Sequence, residues 1–362
     1  MNYYLVLTKE TAERIDRELN CEGKVPKSDL RLLAEYLGAE LIPQQPCKVS
    51  PIDRIKSIFG STPELWAFAR SLKSQLEADA IVFCHSEEIG IPLAHVYGKA
   101  VRRPKLVVWL HRITGLRTRI ALKLFAIAKT VDLAVVNSRP NQKFLQEYLK
   151  FNLDRILFLR HAIDSSYFAP QTDPVSKTRP LIVSVGLEQR DYRLLAAATE
   201  NLDVDVKVAG FSQFFSRIAD TFPEVMPQNM TNRKYTLPEL LELYYQADIV
   251  AICLQENSGA AGITALLEAM SCRKPVICVR TSGLAEYLID DGAVISIEPG
   301  DVPGLQAAIT HLLNKPEEAQ ARAARAYQIV QENHVLANQA KLLAKFIQSL
   351  EPETEPSQPQ TA

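Results

Sequence analysis

The sequence predicts an α/β protein built from two doubly wound domains. Its 362 residues exceed what one hydrophobic core usually organises, so the length indicates two domains of roughly 150 to 200 residues each. Short apolar runs alternate with longer amphipathic runs along the chain, which is typical of parallel strands covered by helices. With 47% hydrophobic and 23% charged residues, the composition excludes a wholly disordered chain.

The first half contains alternating strand and helix signals from which we assign residues 1–170 to an N-terminal domain. Uninterrupted apolar runs predict strands at 3–7, 80–83, 105–110, 133–136 and 156–159. Amphipathic segments predict helices near 27–37, 62–77, 88–98, 115–129 and 139–150.

The second half repeats this alternation. Strands are predicted at 181–185, 205–209, 248–254, 275–279 and 293–297, and helices near 190–200, 237–246, 262–272, 284–289 and 302–314. The polar stretch 168–180 holds three prolines, so we place the joint there and assign residues 171–325 to a C-terminal domain. Helices at 326–350 could pack back on the N-terminal domain, and the polar, proline-rich residues 351–362 predict a disordered tail.

Charge is divided unevenly between the two halves. The net charge of the chain is −1, which argues against a nucleic-acid binder, yet residues 1–170 are basic and residues 171–362 are acidic. Residues 102–129 contain no acidic side chain. Their basic residues are Arg102, Arg103, Lys105, Arg112, Arg117, Arg119, Lys123 and Lys129.

The segment 115–129 also has an apolar stripe, formed by Leu116, Ile120, Leu124 and Ile127. A basic amphipathic helix of this kind can lie on an anionic bilayer, so we expect peripheral contact with an anionic membrane. An ordinary packed helix with one solvated face has the same pattern.

Cysteine usage and the N-terminus indicate a cytoplasmic protein. The six cysteines form no CxxC pair and have no histidine at zinc-finger spacing, so we interpret them as reduced. No signal-peptide pattern and no apolar run of about 18 residues occurs. Any membrane contact is therefore expected to be peripheral, on the inner face.

The most informative stretch joins a strand, a small-residue loop and a helix. The predicted strand ends at Leu254, and residues 258–262 read SGAAG before an apolar helix begins. Small residues let a ligand approach the backbone, and the free N–H groups of a first helical turn favour a phosphate. Glu268 lies six residues beyond Gly262, roughly 9 Å along the helix, where a carboxylate could accept both ribose hydroxyls.

From Leu267 to Val276 the sequence reads LEAMSCRKPV. It resembles the nucleotide-sugar site of retaining GT-B glycosyltransferases, family four (glycosyl transferases group 1) in particular, whose pattern is Glu, seven residues, then Glu-Ala-Met-Ala-Cys-Gly-Lys-Pro-Val. The family's first glutamate falls on Ala260. The resemblance implies the GT-B fold, with two Rossmann-like domains facing across a cleft.

The segment from Gly186 to Tyr192, GLEQRDY, looks like the Gly-Arg-Leu loop of the same family. Arg190 occupies the place of a cation that meets the donor diphosphate, and it is a catalytic candidate for that reason. The other cation of the family falls on Leu187. The donor-binding residues that the resemblance implies are Gly186, Arg190, Gly262, Ile263, Thr264 and Glu268.

Two histidines follow predicted strands of the first half, at the strand ends where ligands of open α/β sheets bind. His111 aligns with the family's histidine at the sugar-facing end of its strand, and is the second catalytic candidate. His85 is a candidate on the acceptor side. We interpret His95 and His161 as structural and place His311 and His334 on peripheral helices.

The resemblance implies an enzyme of the hexosyltransferase class that moves a sugar from a nucleotide diphosphate to a glycan or lipid-linked acceptor. It implies retention of configuration, and the expected setting is envelope polysaccharide or glycolipid synthesis. We expect no cofactor besides the nucleotide-sugar co-substrate. No bound metal is expected either, because no carboxylate cluster accompanies the Asp203-Val-Asp205 motif.

Two other classes of protein share features with this sequence. A nicotinamide dehydrogenase is also doubly wound, but the chain has no G-x-G-x-x-G motif. The alternative is a non-catalytic GT-B-like protein that binds a nucleotide sugar or a partner protein. Ala260, Leu187 and the absence of a glycine-rich loop after the first strand favour it, whereas Arg190, Glu268 and His111 favour the enzyme.

Overall fold

The computed structural model describes residues 1–351 except 22, 99, 112, 114, 172–176, 212–220, 258 and 289–291. These residues form two compact units. The first comprises Met1–Arg17, Ser28–Leu159 and the described residues from Ala337 on; the second comprises Glu18–Lys27 and Arg160–Leu336. The division at Arg160 comes before the joint predicted at 168–180.

The first unit contains a six-stranded parallel sheet. Its strands are β1 (Tyr3–Leu7), β2 (Glu40–Pro43), β3 (Ile81–Cys84), β4 (Lys105–Trp109), β5 (Leu133–Val136) and β6 (Ile156–Phe158). Their order is β2-β1-β3-β4-β5-β6. The chain therefore winds one way from β1 to β2 and the other way from β3 onward, which confirms the doubly wound prediction for this half.

Helices cover this sheet. They are α1 (Lys9–Asn20), α2 (Asp29–Leu37), α3 (Pro51–Ser57), α4 (Pro63–Leu72), α5 (Glu87–Tyr97), α6 (Leu116–Leu124), α7 (Ile127–Thr130) and α8 (Arg139–Glu147). Alternate strand residues enter separate clusters, with Val6 in one and Leu5 and Leu7 in the other. Burial on both faces explains why the central strands are continuous apolar runs.

The second unit has its own six-stranded parallel sheet. Its strands are β7 (Leu181–Val185), β8 (Asp205–Ala209), β9 (Met230–Asn232), β10 (Ile249–Ile252), β11 (Val276–Val279) and β12 (Val294–Ile297). The order is β12-β11-β10-β7-β8-β9, the arrangement of dinucleotide-binding Rossmann sheets. The second doubly wound domain is therefore confirmed as well.

The remaining helices are α9 (Tyr192–Thr199), α10 (Leu237–Gln246), α11 (Ile263–Ser271), α12 (Val302–Asn314), α13 (Pro316–Asn333) and α14 (Leu336–Gln348). Side chains of α13 enter the core of the second unit, whereas Leu343, Ala344 and Ile347 of α14 enter a core cluster of the first. Most of the predicted tail, residues 352–362, lies outside the described residues.

Four elements were not predicted from the sequence. The strands β2 and β9 are the edges of their sheets, and their sequences ELIP and MTN are short and only partly buried. An edge strand needs no continuous apolar run, so neither produced a strand signal. The helices α1 and α3 were missed as well. Conversely, the helix predicted at 284–289 is a series of turns as far as Leu288.

The helix predicted at 115–129 is wrong as a single element. It divides into α6 and α7 at Ala126, whose backbone adopts the left-handed conformation with φ of 53°. Ile127 is buried, but Leu116, Ile120 and Leu124 are exposed, so most of the predicted apolar stripe faces solvent. Within the described ranges, no helix is long and apolar enough to cross a membrane.

Candidate functional site

The second sheet has its topological switch point between β7 and β10. These strands are neighbours, and the chain leaves them toward opposite sides of the sheet. Ligands of open α/β sheets bind in the crevice beyond the carboxyl ends of such strands. The segments that begin at Gly186 and at Leu254 are therefore the part of this unit where a ligand is expected.

Arg190 lies at this switch point and is only 4% exposed. Its Nε donates to the carbonyl of Val185 at 2.9 Å, and its Nη1 donates to the carbonyl of Glu188 at 2.9 Å. Its backbone forms an isolated antiparallel bridge with Leu254. The guanidinium is thus held rigidly where the two segments meet, and it is a buried cation, not a solvated surface arginine.

Gly186 makes room for this guanidinium. Its φ is +100°, and a Cβ added there would lie 2.5 Å from Nη2 of Arg190. Any other residue would be strained and would push the guanidinium away. The sequence prediction grouped Gly186 and Arg190 in one site, and the structure brings them into contact.

The helix α11 begins at the same edge of the sheet. Its N-cap is Gly262, which has φ of +90° and no side chain to cap the first turn. A Cβ there would lie 3.2 Å from side-chain atoms of Ile252 and Leu254, so the loop packs closely on the end of β10. An uncapped helix start of this kind favours an anion.

Glu268 lies on α11, is only 9% exposed and accepts a hydrogen bond from the hydroxyl of Tyr244 at 2.7 Å. Desolvation by burial raises the pKa of Glu268 to about 7, while the bond from Tyr244 and the charge of Arg190 oppose that rise. Glu268 is therefore coupled electrostatically to Arg190. It is not the exposed helix-surface glutamate that its position in a helix would suggest.

Tyr244 is a residue of this site that the sequence did not point to. It is fully buried on α10, and its hydroxyl satisfies one carboxylate oxygen of Glu268. Tyr244→Phe should leave that oxygen unpaired, destabilise the fold by about 1–3 kcal/mol and raise the pKa of Glu268 further. Denaturant unfolding measures the first effect, with Tyr245→Phe on the same helix as the matched control; equal stability of the two variants would contradict it.

His161 is a second residue that was missed. Its Nε2 lies 3.2 Å from the hydroxyl of Thr264 in the first turn of α11. Its backbone carbonyl is 2.7 Å from Nδ1 of His334, and its backbone N–H donates to the hydroxyl of Tyr287 at 3.1 Å. His334 is 4% exposed, so it is not a peripheral residue as predicted.

The first unit brings His85 and His111 together. They follow the neighbouring strands β3 and β4, and their ring centroids are 5.4 Å apart. Nε2 of His111 lies 3.0 Å from the carbonyl of His85, its backbone N–H donates to a carboxylate oxygen of Glu87 at 3.0 Å, and its carbonyl accepts from the amide of Asn141 at 3.0 Å. Three polar contacts therefore hold the ring, the backbone N–H and the backbone carbonyl of His111 in place.

The ring of Trp109 contacts both histidines of this pair. Its ring stacks on His111, with centroids 5.2 Å apart and planes 15° apart. Within the described ranges its buried Nε1 has no hydrogen-bond partner. Desolvation lowers the pKa of His85 to about 4, so His85 is neutral at physiological pH. The tryptophan two residues before His111 is the sequence signal that could have predicted this contact.

The predicted site residues thus form two groups, one in each unit. The second unit holds Gly186, Arg190, Gly262, Ile263, Thr264 and Glu268, and the first unit holds His85 and His111. In the part of the chain that the structure describes, no three His, Cys, Asp or Glu side chains are grouped so that they could hold a metal ion.

The second-unit residues of the predicted site lie in a segment that matches a known protein family. Residues 179–329 match the sequence model of the family described as Glycosyl transferases group 1. That range is less than half of the chain, but it contains the whole second sheet together with Arg190, Gly262 and Glu268. This part of the chain is similar to that family, as the resemblance implied.

Individual relatives agree with this assignment. A glycogen synthase of Mycobacterium tuberculosis is 38% identical over 90 residues, which are 25% of this chain and 21% of the relative. This chain thus spans about a fifth of that protein's length. Sucrose-phosphate synthase from Thermosynechococcus elongatus has a TM-score of 0.70 at 14% identity, with 97% of this chain and 99% of that chain covered.

HepE of Anabaena, solved in complex with UDP-glucose, has a TM-score of 0.70 at 16% identity, with 97% of this chain and 100% of that chain covered. At such low identity, the likeness of both structures shows a common fold. It confirms the predicted GT-B fold class.

Proposed function

We propose that this protein is a glycosyltransferase that moves a sugar from a nucleotide diphosphate to a glycan or lipid-linked acceptor with retention of configuration. The observation that carries the proposal is the switch point of the second sheet. There, Arg190 lies against Gly186 and bridges Leu254, and Gly262 at the start of α11 packs on the side chain of Leu254. Glu268 lies further along α11. This arrangement lies within the segment that matches the glycosyl transferases group 1 family.

In this proposal, the donor diphosphate lies between the first-turn amides of α11 and Arg190. Nε of Arg190 and one N–H of Nη1 already donate to carbonyls, so we assign the phosphate contact to Nη2. A fixed cation and oriented N–H groups stabilise the charge that develops on a leaving diphosphate without reorganising. Thr264 and His161 border this position, and Glu268 holds the ribose hydroxyls.

We assign contact with the transferred sugar and with the acceptor to residues of the first unit. His111 is the candidate that contacts the transferred sugar, since hydrogen bonds and stacking fix its ring, and His85 lies beside it for the acceptor. HepE was solved with UDP-glucose, which makes UDP-glucose the first donor to test here. We expect no cofactor besides the nucleotide sugar.

Release of nucleotide diphosphate from a panel of UDP-, GDP- and ADP-sugars tests the proposed activity. Transfer predicts that at least one donor releases its diphosphate, faster when an acceptor is present. Tight donor binding without release would favour the non-catalytic alternative, which Ala260 and Leu187 support because both replace charged residues of the family pattern.

Transfer should not depend on a metal ion, because Arg190 and the helix start supply the positive potential that a metal would otherwise provide. Initial rates should be unchanged after dialysis against EDTA. Loss of activity in EDTA, followed by recovery with magnesium or manganese, would contradict this expectation.

We also propose that residues 102–129 bring the protein to an anionic membrane on the inner face, in a pathway of envelope polysaccharide or glycolipid synthesis. Arg103 pairs with Asp132 at 2.6 Å, but Arg102, Arg117, Lys123 and Lys129 are exposed. Exposed cations near an anionic leaflet contribute about 1 kcal/mol each, and salt screens that attraction.

Binding to anionic vesicles should therefore fall as salt rises. It should weaken further when Arg117, Arg119 and Lys123 are replaced by Gln. Co-sedimentation measures both effects. Equal recovery with neutral and anionic vesicles at low salt would contradict an electrostatic contact.

A further inference from the structure

Two short helices of the first unit leave their apolar residues uncovered. On α3 and at its C-cap, Ile58, the side chains are spaced three residues apart, and on α6 they are spaced four apart, so each set forms a stripe along its helix. Their exposed fractions are 60% for Ile52, 61% for Ile55, 66% for Ile58, 74% for Leu116, 43% for Ile120 and 57% for Leu124. Such large apolar side chains are rarely left grouped on a surface without a partner.

The C-terminal ends of the two stripes lie beside a shared pair of aromatic rings. Ile58 directly precedes Phe59, and Leu124 directly precedes Phe125; the rings of these phenylalanines contact edge to face, with centroids 6.5 Å apart. A Cβ added at Gly60 would lie 3.7 Å from Cβ of Ala121 on α6. The C-terminal ends of both helices are therefore neighbours, and we call the two exposed stripes together the α3–α6 surface.

The solvent-exposed charges on the two helices of the α3–α6 surface are positive. Arg54, Arg117 and Lys123 are exposed on the two helices. Asp53, the one acidic residue of α3, is 3% exposed and pairs with Arg70 at 2.8 Å, so it turns away from solvent. The sequence of α6 contains no acidic residue.

From this combination we infer that the α3–α6 surface inserts its apolar side chains into the interfacial layer of an anionic membrane. The inference rests on the membrane contact proposed above and adds α3, which lies outside residues 102–129. An apolar stripe beside cations suits a helix that lies at the boundary of headgroups and acyl chains. A second copy of the chain fits less well, because a two-fold contact would place like charges opposite each other.

Insertion differs from electrostatic attraction in its response to salt. Ions screen the attraction of exposed cations, but they do not weaken the burial of apolar side chains. A fraction of the binding to anionic vesicles should therefore persist at high salt. That fraction should depend on the isoleucines of α3.

The test compares Ile52→Asn/Ile55→Asn with a matched control, Leu153→Asn/Val225→Asn, whose parent side chains are also exposed but lie elsewhere. All proteins are first checked for unchanged melting temperature and donor binding. Co-sedimentation then uses phosphatidylcholine vesicles with and without phosphatidylglycerol, at low and high salt. We expect the α3 variant to lose at least about tenfold in vesicle partitioning, and its salt-resistant binding to disappear, while the control binds as wild type does.

Three outcomes would overturn the inference. Binding that is lost in the Arg117, Arg119 and Lys123 variant but kept in the α3 variant would leave only an electrostatic contact. If the protein forms a dimer in the absence of vesicles, and the α3 substitutions dissociate that dimer, the α3–α6 surface is a subunit interface. Absence of binding to every vesicle would remove both membrane proposals, while diphosphate release would still report on the proposed transfer by itself.

Discussion

Replacing Arg190 by alanine should weaken binding of the nucleotide-sugar donor by about tenfold to a hundredfold. A charge-assisted hydrogen bond to phosphate contributes about 1.5–3 kcal/mol, and this guanidinium is already fixed by two backbone carbonyls. Isothermal titration with the donor measures the loss.

Stability has to be measured beside binding, because Arg190→Ala also removes two buried hydrogen bonds. Arg193→Ala, one turn further along the chain and half exposed, is the control for loss of a cation in the same region. An Arg190→Ala protein that is destabilised but binds donor with unchanged affinity would mean that Arg190 only supports the loop.

Replacing Glu268 by glutamine should keep the fold and reduce donor affinity by about tenfold or more. A carboxylate can accept from Tyr244 and from ribose hydroxyls together, whereas the amide accepts only through its oxygen. Glu242→Gln on the exposed face of α10 is the matched control. If Glu268→Gln melts earlier yet binds donor normally, Glu268 has a structural role alone.

The same carboxyl gives a pH dependence with a defined sign. Its pKa is raised to about 7 in the folded protein, above the value of about 4.3 in an unfolded chain. The protonated form therefore stabilises the fold at low pH, and this contribution is lost as pH rises from about 4 through 7. Donor binding needs the carboxylate, so affinity should increase from pH 6 to pH 8 in wild type and stay constant in Glu268→Gln.

Local spacing explains what could be predicted from the sequence. The distance from Gly262 to Glu268 is set within one helix, and Gly186 and Arg190 lie in one loop, so their grouping required no knowledge of the fold. The central strands were predicted for a similar reason, because burial on both faces leaves an uninterrupted apolar run.

Contacts between distant segments could not be predicted in this way. Tyr244 reaches Glu268 from another helix, and His161 reaches Thr264 across 103 residues of sequence, so neither pairing leaves a local pattern. The exposure of Leu116 and Ile120 could not be predicted either. An apolar stripe on a helix has the same residue spacing whether it packs against a neighbouring element or faces solvent.

A crystal structure with bound nucleotide diphosphate would test the central claim most directly. The account predicts that the diphosphate lies at the switch point of the second sheet, within hydrogen-bond distance of Nη2 of Arg190 and the first-turn amides of α11, with the ribose at Glu268. A nucleotide bound elsewhere, with this switch point empty, would contradict it.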